Sequence, residues 1–387
     1  MQHINIAITG WGSISPLGIN HAEVWQRYRD DEHCFTKALI NAAPEWVAPL
    51  STGSKAVAAA LISANPKYKQ LDPSVLYAMA AAQSAVSQAG WHAGATFGVN
   101  IGSSRGATTA FEDHHTRFIQ SGTQITHPHT SPLTTLGNIA GWTAAHLAAT
   151  GPVISHSVTC STALHAVLNA VAWLKAGLCT RFLAGGSEAP LTPFTIAQMR
   201  ALKVYSSLND AYPCRAMDPE KKQNTMILGE GAACFCLETE PATRPLAYIS
   251  GIGYGTETID HGASLTADAQ CLQRSMRMAL QGHTPQSVDA VILHAPGTLK
   301  GDTAELLAIQ QVFGSHRPLL TSNKWKMGHT FGASGAFSME LAMLMLQHNQ
   351  LIQPPYLPKQ QMVKPLKKIL VNALGFGGNA VSVLLSV

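Results

Sequence analysis

The chain has 387 residues, 46% apolar and 12% charged, with a formal net charge of +4 and no basic cluster larger than Lys221-Lys222 or Lys364-Pro365-Leu366-Lys367-Lys368. That is enough chain for two or three domain-sized units or one large α/β body, and too weak a charge to imply a nucleic-acid partner, though a modest basic patch suits an acidic protein. The seven cysteines are odd in number and scattered without a C-x-x-C pair, and no apolar run reaches the length of a membrane span, so neither a disulfide framework, a structural zinc site nor a transmembrane segment is expected.

Met1-Gln2-His3 runs directly into the strand pattern Ile4 to Ile8, without the charged region and apolar stretch of a signal peptide. A cytoplasmic location is the corresponding expectation. The strand is expected to end at Thr9-Gly10-Trp11-Gly12; Gly10 and Gly12 invite a dinucleotide-loop reading, but Gly-Trp-Gly-Ser-Ile-Ser lacks the third glycine. Asp72-Pro73 supplies an N-cap and a first-turn proline for an alanine-rich helix that runs to Gly90. Phe97 to Gly102 reads as a strand, followed by helices near Ala107 to Gln120 and Leu133 to Ala149. His114, His115, His127 and His129 have no carboxylate or cysteine at a recognisable ligand spacing, so no metal is assigned to them.

Pro152-Val153-Ile154-Ser155 reads as a short buried strand, and apolar residues at Ala163, Leu164, Val167, Leu168, Val171 and Leu174 mark a helix that stops at Gly177. Cys160 therefore lies on a strand-to-helix turn. The helix dipole and unpaired N–H groups there favour a thiolate, so its pKa is expected below the free value of about 8.5. Strands follow at Phe182 to Gly186 and Gly231 to Glu238, with a loop-rich interval between them that is expected to wall the site. From Leu246 the alternation restarts, with strands to Gly253, Ala290 to Leu293 and Leu319 to Ser322, helices at Ala267 to Gln281, Asp302 to Phe313 and past Gly335, and two closing strands, Ile369 to Ala373 and Ala380 to Leu385. Two similar passes predict an α/β body of two sheet-bearing halves, with mostly parallel sheets covered on both faces.

His294 and His329 both fall where a strand opens into a loop, as Cys160 does, and open α/β sheets place their sites at such ends. A thiol and two imidazoles in equivalent topological places make a candidate nucleophilic constellation. Leu374-Gly375-Phe376-Gly377-Gly378-Asn379 joins the closing strands; its glycines suit either a plain tight hairpin or backbone N–H groups turned inward as an oxyanion hole.

The Cys160 stretch, Gly229-Glu230-Gly231-Ala232, His294 with Gly301-Asp302 and Glu305, Lys324 with Gly328-His329 and Gly332-Ala333-Ser334-Gly335, and Gly375-Phe376-Gly377-Gly378 together resemble the ordered motifs of the β-ketoacyl-acyl carrier protein synthases. The resemblance implies the thiolase fold, five α-β-α-β-α layers in two pseudo-repeated halves (1–240 with the nucleophile, 241–387 with the histidines). It also implies a dimer, with itself or with a paralogous ketosynthase subunit. Cys160 would accept the acyl group, and His294 and His329 would assist decarboxylation of a malonyl thioester. Lys324 would hold the charge arrangement, with Asp302 and Glu305 in support. The N–H groups of Cys160 and Phe376 would form the oxyanion hole, Gly375 and Gly377 would shape the gating loop, and Thr298 would meet the phosphopantetheine arm of acyl carrier protein. No metal or other cofactor is implied.

Departures from that pattern touch the supporting residues. Ala295-Pro296 replace Gly-Thr after the first histidine, Ser338 stands where a glutamate is usual with Glu340 two positions on, and Gln223 to Met226 replace the Arg-Asp-Gly-Phe pattern. They raise an alternative, a non-catalytic partner resembling the chain-length factor of a two-subunit type II polyketide synthase, against which the intact cysteine stands. An acyltransferase or thioesterase on the same fold would use Cys160 without decarboxylation, and both histidines are kept.

Overall fold

The computed structural model describes residues 5–241, 244–258 and 265–387; Ile4 of the first expected strand lies outside them. The first half contributes β1 (Ile6–Ile14), β2 (Thr36–Ile40), β3 (Ala43–Ala48), β4 (Gly98–Gly102), β5 (Val153–Ile154), β6 (Arg181–Glu188), β7 (Leu228–Gly229) and β8 (Gly231–Glu238). The second contributes β9 (Ala247–Thr256), β10 (Ala290–Ile292), β11 (Leu319–Thr321), β12 (Lys368–Gly375) and β13 (Asn379–Ser386). Ten strands form one sheet in the order β11-β10-β12-β13-β9-β1-β8-β6-β4-β5, and β2-β3-β7 form a small second sheet.

The two ends of the large sheet repeat one another. Read outward from the centre, β1-β8-β6-β4-β5 and β9-β13-β12-β10-β11 are equivalent paths. They meet through only three residue pairs, Ile6–Ile249, Ala7–Tyr248 and Ile8–Ala247. The expectation of mostly parallel strands fails in the middle. Pairings β12–β13, β13–β9, β9–β1, β1–β8 and β8–β6 are antiparallel, and only the outer strands pair in parallel. Full burial on both faces gives antiparallel strands the continuous apolar runs usually read as parallel.

The helices Thr162–Lys175 and Ser334–His348 lie between the halves in a core shared with both ends of the large sheet, joined by Val167, Phe235, Leu341 and Val383. Ser334–His348 is buried from Ser334 through Leu346, which explains its lack of a polar face. Pro73–Ala89 and Asn138–His146 cover the outside of the first half, and Gln270–Ala279 and Leu299–Phe313 that of the second. The result is the expected α-β-α-β-α layering.

Gly10 and Gly12 serve this layering, because β1 continues past Thr9 to Ile14 and presses both against the Pro73–Ala89 helix. A Cβ at Gly10 would lie 2.3 Å from the Ala85 carbonyl oxygen, and one at Gly12 2.4 Å from that of Ala81. In β9, Gly251, Gly253 and Gly255 meet Ala279, Ser275 and Cys271 of Gln270–Ala279 in the same way. The Asp72 cap and Gly90 terminus hold as expected, with Gly90 at φ 70°. The expected helix from Leu133 to Ala149 is instead two, Thr130–Thr134 and Asn138–His146. The strand before Cys160 is not buried: β5 is a two-residue sheet edge with Val153 47% exposed.

Candidate active site

Cys160 stands one residue before the cap of the Thr162–Lys175 helix, at the end of a turn stapled by side chains. Val158 N–H donates to Thr162 Oγ1 at 2.9 Å, and Ser161 Oγ donates to the Val158 carbonyl at 2.9 Å. Thr159 is thereby held at φ 48°, an unfavourable region for a β-branched residue. Cys160 lines a cleft of about 230 Å³.

That cleft brings together Cys160, His294, His329, Thr298, Gly375 and Phe376. Met199, Leu202, Val204 and Met226, from the interval between β6 and β8, form an apolar wall, as expected of that interval. Lys324 does not line the cleft. It is buried behind it, with Nζ donating to Asn323 Oδ1 at 2.9 Å.

The two imidazoles are edge to face with ring centroids 5.1 Å apart. Burial, with Lys324 nearby, pushes His329 down to about 3; burial, His329 and Lys324 place His294 well below the ordinary range. Both rings are therefore neutral at physiological pH, and His329 Nδ1 has no hydrogen-bond partner. Burial lowers Lys324 to about 8, opposed by Glu305, Cys214, Cys160 and Asp302.

The thiol does not behave as the helix-terminus argument predicts. Burial and then the negative charge of Glu188 push Cys160 up to about 12, against the opposing effects of Lys324 and Arg105. Desolvation outweighs the dipole here, so Cys160 rests as a thiol.

Glu305 and Asp302 hold the His294 loop from the Leu299–Phe313 helix. Glu305 accepts from His294 N–H at 3.0 Å, Ala295 N–H at 2.8 Å and Asn372 Nδ2 at 3.1 Å, and burial raises its carboxyl to about 7. Asp302 accepts from Gly297 and Thr298 N–H, both at 3.1 Å, and pairs with Lys221 at 2.9 Å. Thr298 caps the helix, its hydroxyl accepting from Gly301 N–H at 3.2 Å.

The departures at 223–226 and 338 have been refilled. Thr225 N–H donates to the Gly297 carbonyl at 2.8 Å, and Asn224 Oδ1 accepts from Leu299 N–H at 2.8 Å, tying the wall to the histidine loop. Ser338 donates to the Ser334 carbonyl at 3.1 Å within its own helix, while Glu340 accepts from Tyr28 at 3.3 Å.

The Gly375 stretch is the tight hairpin of the first reading, with Gly375 paired to Asn379 and Gly377 and Gly378 at φ 83° and 64°. It also closes on the Cys160 turn, where Thr159 Oγ1 donates to the Phe376 carbonyl at 3.2 Å. Phe376 remains 41% exposed at the mouth.

The sequence reading did not single out Glu188. It accepts from Ser104 N–H at 2.5 Å, Ser104 Oγ at 2.6 Å, Ser103 Oγ at 3.0 Å and Gly332 N–H at 3.0 Å. It thus clamps the loop after His329 to the end of β4 behind the nucleophile. Its signal was available: an acidic residue closing the buried strand β6.

Residues 4–242 match the N-terminal domain, and residues 246–357 the C-terminal domain, of beta-ketoacyl synthases. The chain is similar to 3-oxoacyl-[acyl-carrier-protein] synthase 2 of Rhizobium meliloti (strain 1021), 29% identical over 415 residues that cover 98% of each chain. It is also similar to putative polyketide beta-ketoacyl synthase 1 of Streptomyces halstedii, 26% identical over 98% of this chain and 97% of that one. Among solved structures, the fold matches a type II polyketide acyl-carrier protein in complex with its ketosynthase bound to the hexaketide, with TM-score 0.86, 22% identity and full coverage of both chains. It likewise matches the ketosynthase ApeO in complex with its chain length factor ApeC from Xenorhabdus doucetiae, with TM-score 0.80, 21% identity, and 99% and 98% coverage of the two chains. The chain belongs to the beta-ketoacyl synthase family.

Proposed function

We propose that the protein is a β-ketoacyl-acyl carrier protein synthase that performs decarboxylative Claisen condensation in fatty acid or polyketide biosynthesis. The observation that carries this reading is one cleft holding a thiol and two neutral imidazoles. Cys160 Sγ attacks the acyl thioester carbonyl; the carrier's thiolate leaves and takes up the thiol proton. Malonyl-acyl carrier protein then loses carbon dioxide, its enolate oxygen stabilised by donors from His294 and His329. The enolate carbon attacks the Cys160 thioester carbonyl, the carbon–sulfur bond breaks, and the released Cys160 thiolate takes up a proton from water to restore the thiol. Neutral imidazoles donate to an enolate without consuming a strong base, and Lys324 supplies positive charge behind them. In the same reading, Cys160 and Phe376 N–H groups bind the tetrahedral oxyanion, Gly375 and Gly377 shape the gate, and Thr298 meets the phosphopantetheine arm.

The substrates arrive on acyl carrier protein, with no resident metal or redox group needed. Lys300 at the cleft rim suits an acidic carrier. Residues 1–240 supply the nucleophile and 241–387 the histidines. Exposed apolar side chains Phe111, Ile119 and Val153, near the edge strand β5 and on the unburied helix Thr108–Gln120, support assembly with a second copy or a paralogous ketosynthase subunit. Among the described residues no helix is long and apolar enough to cross a membrane, and we place the enzyme in the cytoplasm.

Intact-protein mass spectrometry with a panel of acyl-carrier thioesters tests the reading, alone and with a paralogous subunit. An acyl adduct lost in Cys160→Ala, with carbon dioxide released on adding malonyl carrier, is the expected result. Full chain extension by the pair when residue 160 is alanine, with no adduct, would leave the non-catalytic partner suggested by the departures at Ser338 and Gln223 to Met226.

A further inference from the structure

Strand β12 carries a single polar residue through its buried run Ile369-Leu370-Val371-Asn372-Ala373-Leu374. Asn372 stands directly across from Ser382 of β13, and its neighbour Val371 pairs with Ile292 of β10, the strand that leads to His294. Both ends of the Asn372 amide are bonded. Nδ2 donates to Glu305 Oε1 at 3.1 Å and to Met276 Sδ at 3.5 Å, and Oδ1 accepts from the Ser382 hydroxyl at 2.8 Å. Ser275 Oγ, on the helix Gln270–Ala279, lies 2.8 Å from Ser382 Oγ and 3.0 Å from the Leu272 carbonyl. Glu305, Asn372, Ser382 and Ser275 are all buried.

An amide turned the other way would set its oxygen against the Glu305 carboxylate, acceptor against acceptor, so Glu305 demands the NH₂ end. The Ser382 hydroxyl gives its proton to Oδ1 and holds that orientation from the opposite side. The carboxylate so steadied secures a strained turn. Ala295 sits at φ 22°, where a residue with a Cβ is seldom found, and Glu305 takes its N–H at 2.8 Å together with that of His294 at 3.0 Å.

We propose that Asn372 and Ser382 are positioning residues for His294, acting through Glu305. Asn372 is the bond that ties the Glu305 carboxylate to the sheet. Without it, among the described residues, Glu305 is bonded only to the turn it holds, and the strain at Ala295 draws both away from the enolate position. The proposal rests on the reading of His294 as an enolate donor.

The test separates the two half-reactions on the full-length protein. Acylation of Cys160 is timed by intact mass, and the loaded enzyme is then given malonyl-acyl carrier protein while carbon dioxide release is followed for its maximal rate and half-saturating concentration. Asn372→Ala is expected to acylate as the wild type does and to release carbon dioxide at least about tenfold more slowly at unchanged half-saturation, the effect of losing a hydrogen bond to a charged group. Ser382→Ala loses less, and adds nothing to Asn372→Ala in the double variant because it acts through the amide. Deuterium uptake in a peptide spanning residues 291–297 is faster in both single variants, while that of the Thr162–Lys175 helix is unchanged. Carbon dioxide release within threefold of wild type in Asn372→Ala, additive losses in the double variant, or an equal loss of acylation overturns the proposal. If Asn372→Ala does not fold, Ser382→Ala is judged by its uptake at 291–297 and by the ratio of its two rates, and no change in either overturns the proposal. If the wild type releases no carbon dioxide, the reading of function fails, and uptake at 291–297 alone upholds or overturns the positioning.

Discussion

Replacing Gly375 by alanine tests the closure of the Phe376 loop on the nucleophile turn. A Cβ there would lie 2.0 Å from Thr159 Oγ1, 3.0 Å from the Val158 carbonyl and 3.1 Å from Ser161 Oγ. Ordinary contact begins near 3.4 Å, so the end of β12 must retreat from Thr159 by about 1.4 Å. Thr159 cannot yield cheaply, since its backbone sits at φ 48° and its hydroxyl is bonded to the Phe376 carbonyl. The retreat breaks that bond and displaces the Phe376 N–H proposed above as an oxyanion donor. Overpacking of this kind costs about 1–3 kcal/mol of stability, which a well-built core survives. A displaced oxyanion donor costs on the order of 10²–10³ in rate. The assay is the rate of Cys160 acylation followed by intact mass, beside a thermal unfolding curve. The expected result is a folded protein slowed at least a hundredfold and partly rescued by Thr159→Gly, which removes the hydroxyl and suits the positive φ. Acylation of Gly375→Ala within threefold of wild type would refute the reasoning.

Cys160 alkylation by iodoacetamide should keep rising to pH 10 without a plateau, because the thiol lies near 12; Glu188→Gln, which removes the second-largest cause of that elevation, should lower the midpoint and speed alkylation at pH 8 several-fold. Glu340 is raised from 4.5 to about 7, so the fold binds its proton more tightly than the unfolded chain does, and stability falls as pH rises through that window. Urea titration should therefore find Glu340→Gln gaining about 3 kcal/mol over wild type at pH 8 relative to its difference at pH 4.5. His329 has the opposite sign. Its folded value of about 3 lies below the unfolded 6.5, so stability is lost as pH falls from 6.5 toward 3, and His329→Gln should flatten that acid loss by several kcal/mol.

The sequence was most legible where a local rule and a tertiary role coincide. Asp72, Pro73 and Gly90 bound their helix by capping chemistry alone, and Cys160, His294 and His329 were located because a strand end is visible as an apolar run that stops. Strand direction was not legible, because β1, β8 and β13 are buried on both faces and lose the alternation that marks antiparallel pairing. Gly10 and Gly12 looked like a strand's end for a related reason: their lack of side chains answers to a helix more than 60 residues away. The thiol's acidity was misjudged because desolvation and Glu188 act through space, and neither is written near residue 160. The repair at Asn224 and Thr225 could not be inferred from a missing motif; it needed the contact with residues 297–299.

The matching strand paths of the two halves place two site residues in equivalent positions. Cys160 follows β5 and leads into Thr162–Lys175; His329 follows β11 and leads into Ser334–His348. These are the same loop in two copies, aimed at one point from opposite sides of a shared core. One loop carries the nucleophile proposed at Cys160 and the other the His329 imidazole, each anchored by its own strand and helix. Either copy can then diverge alone: a single change at position 160 would silence acyl capture while the facing loop, the core and the surface of the molecule stayed intact.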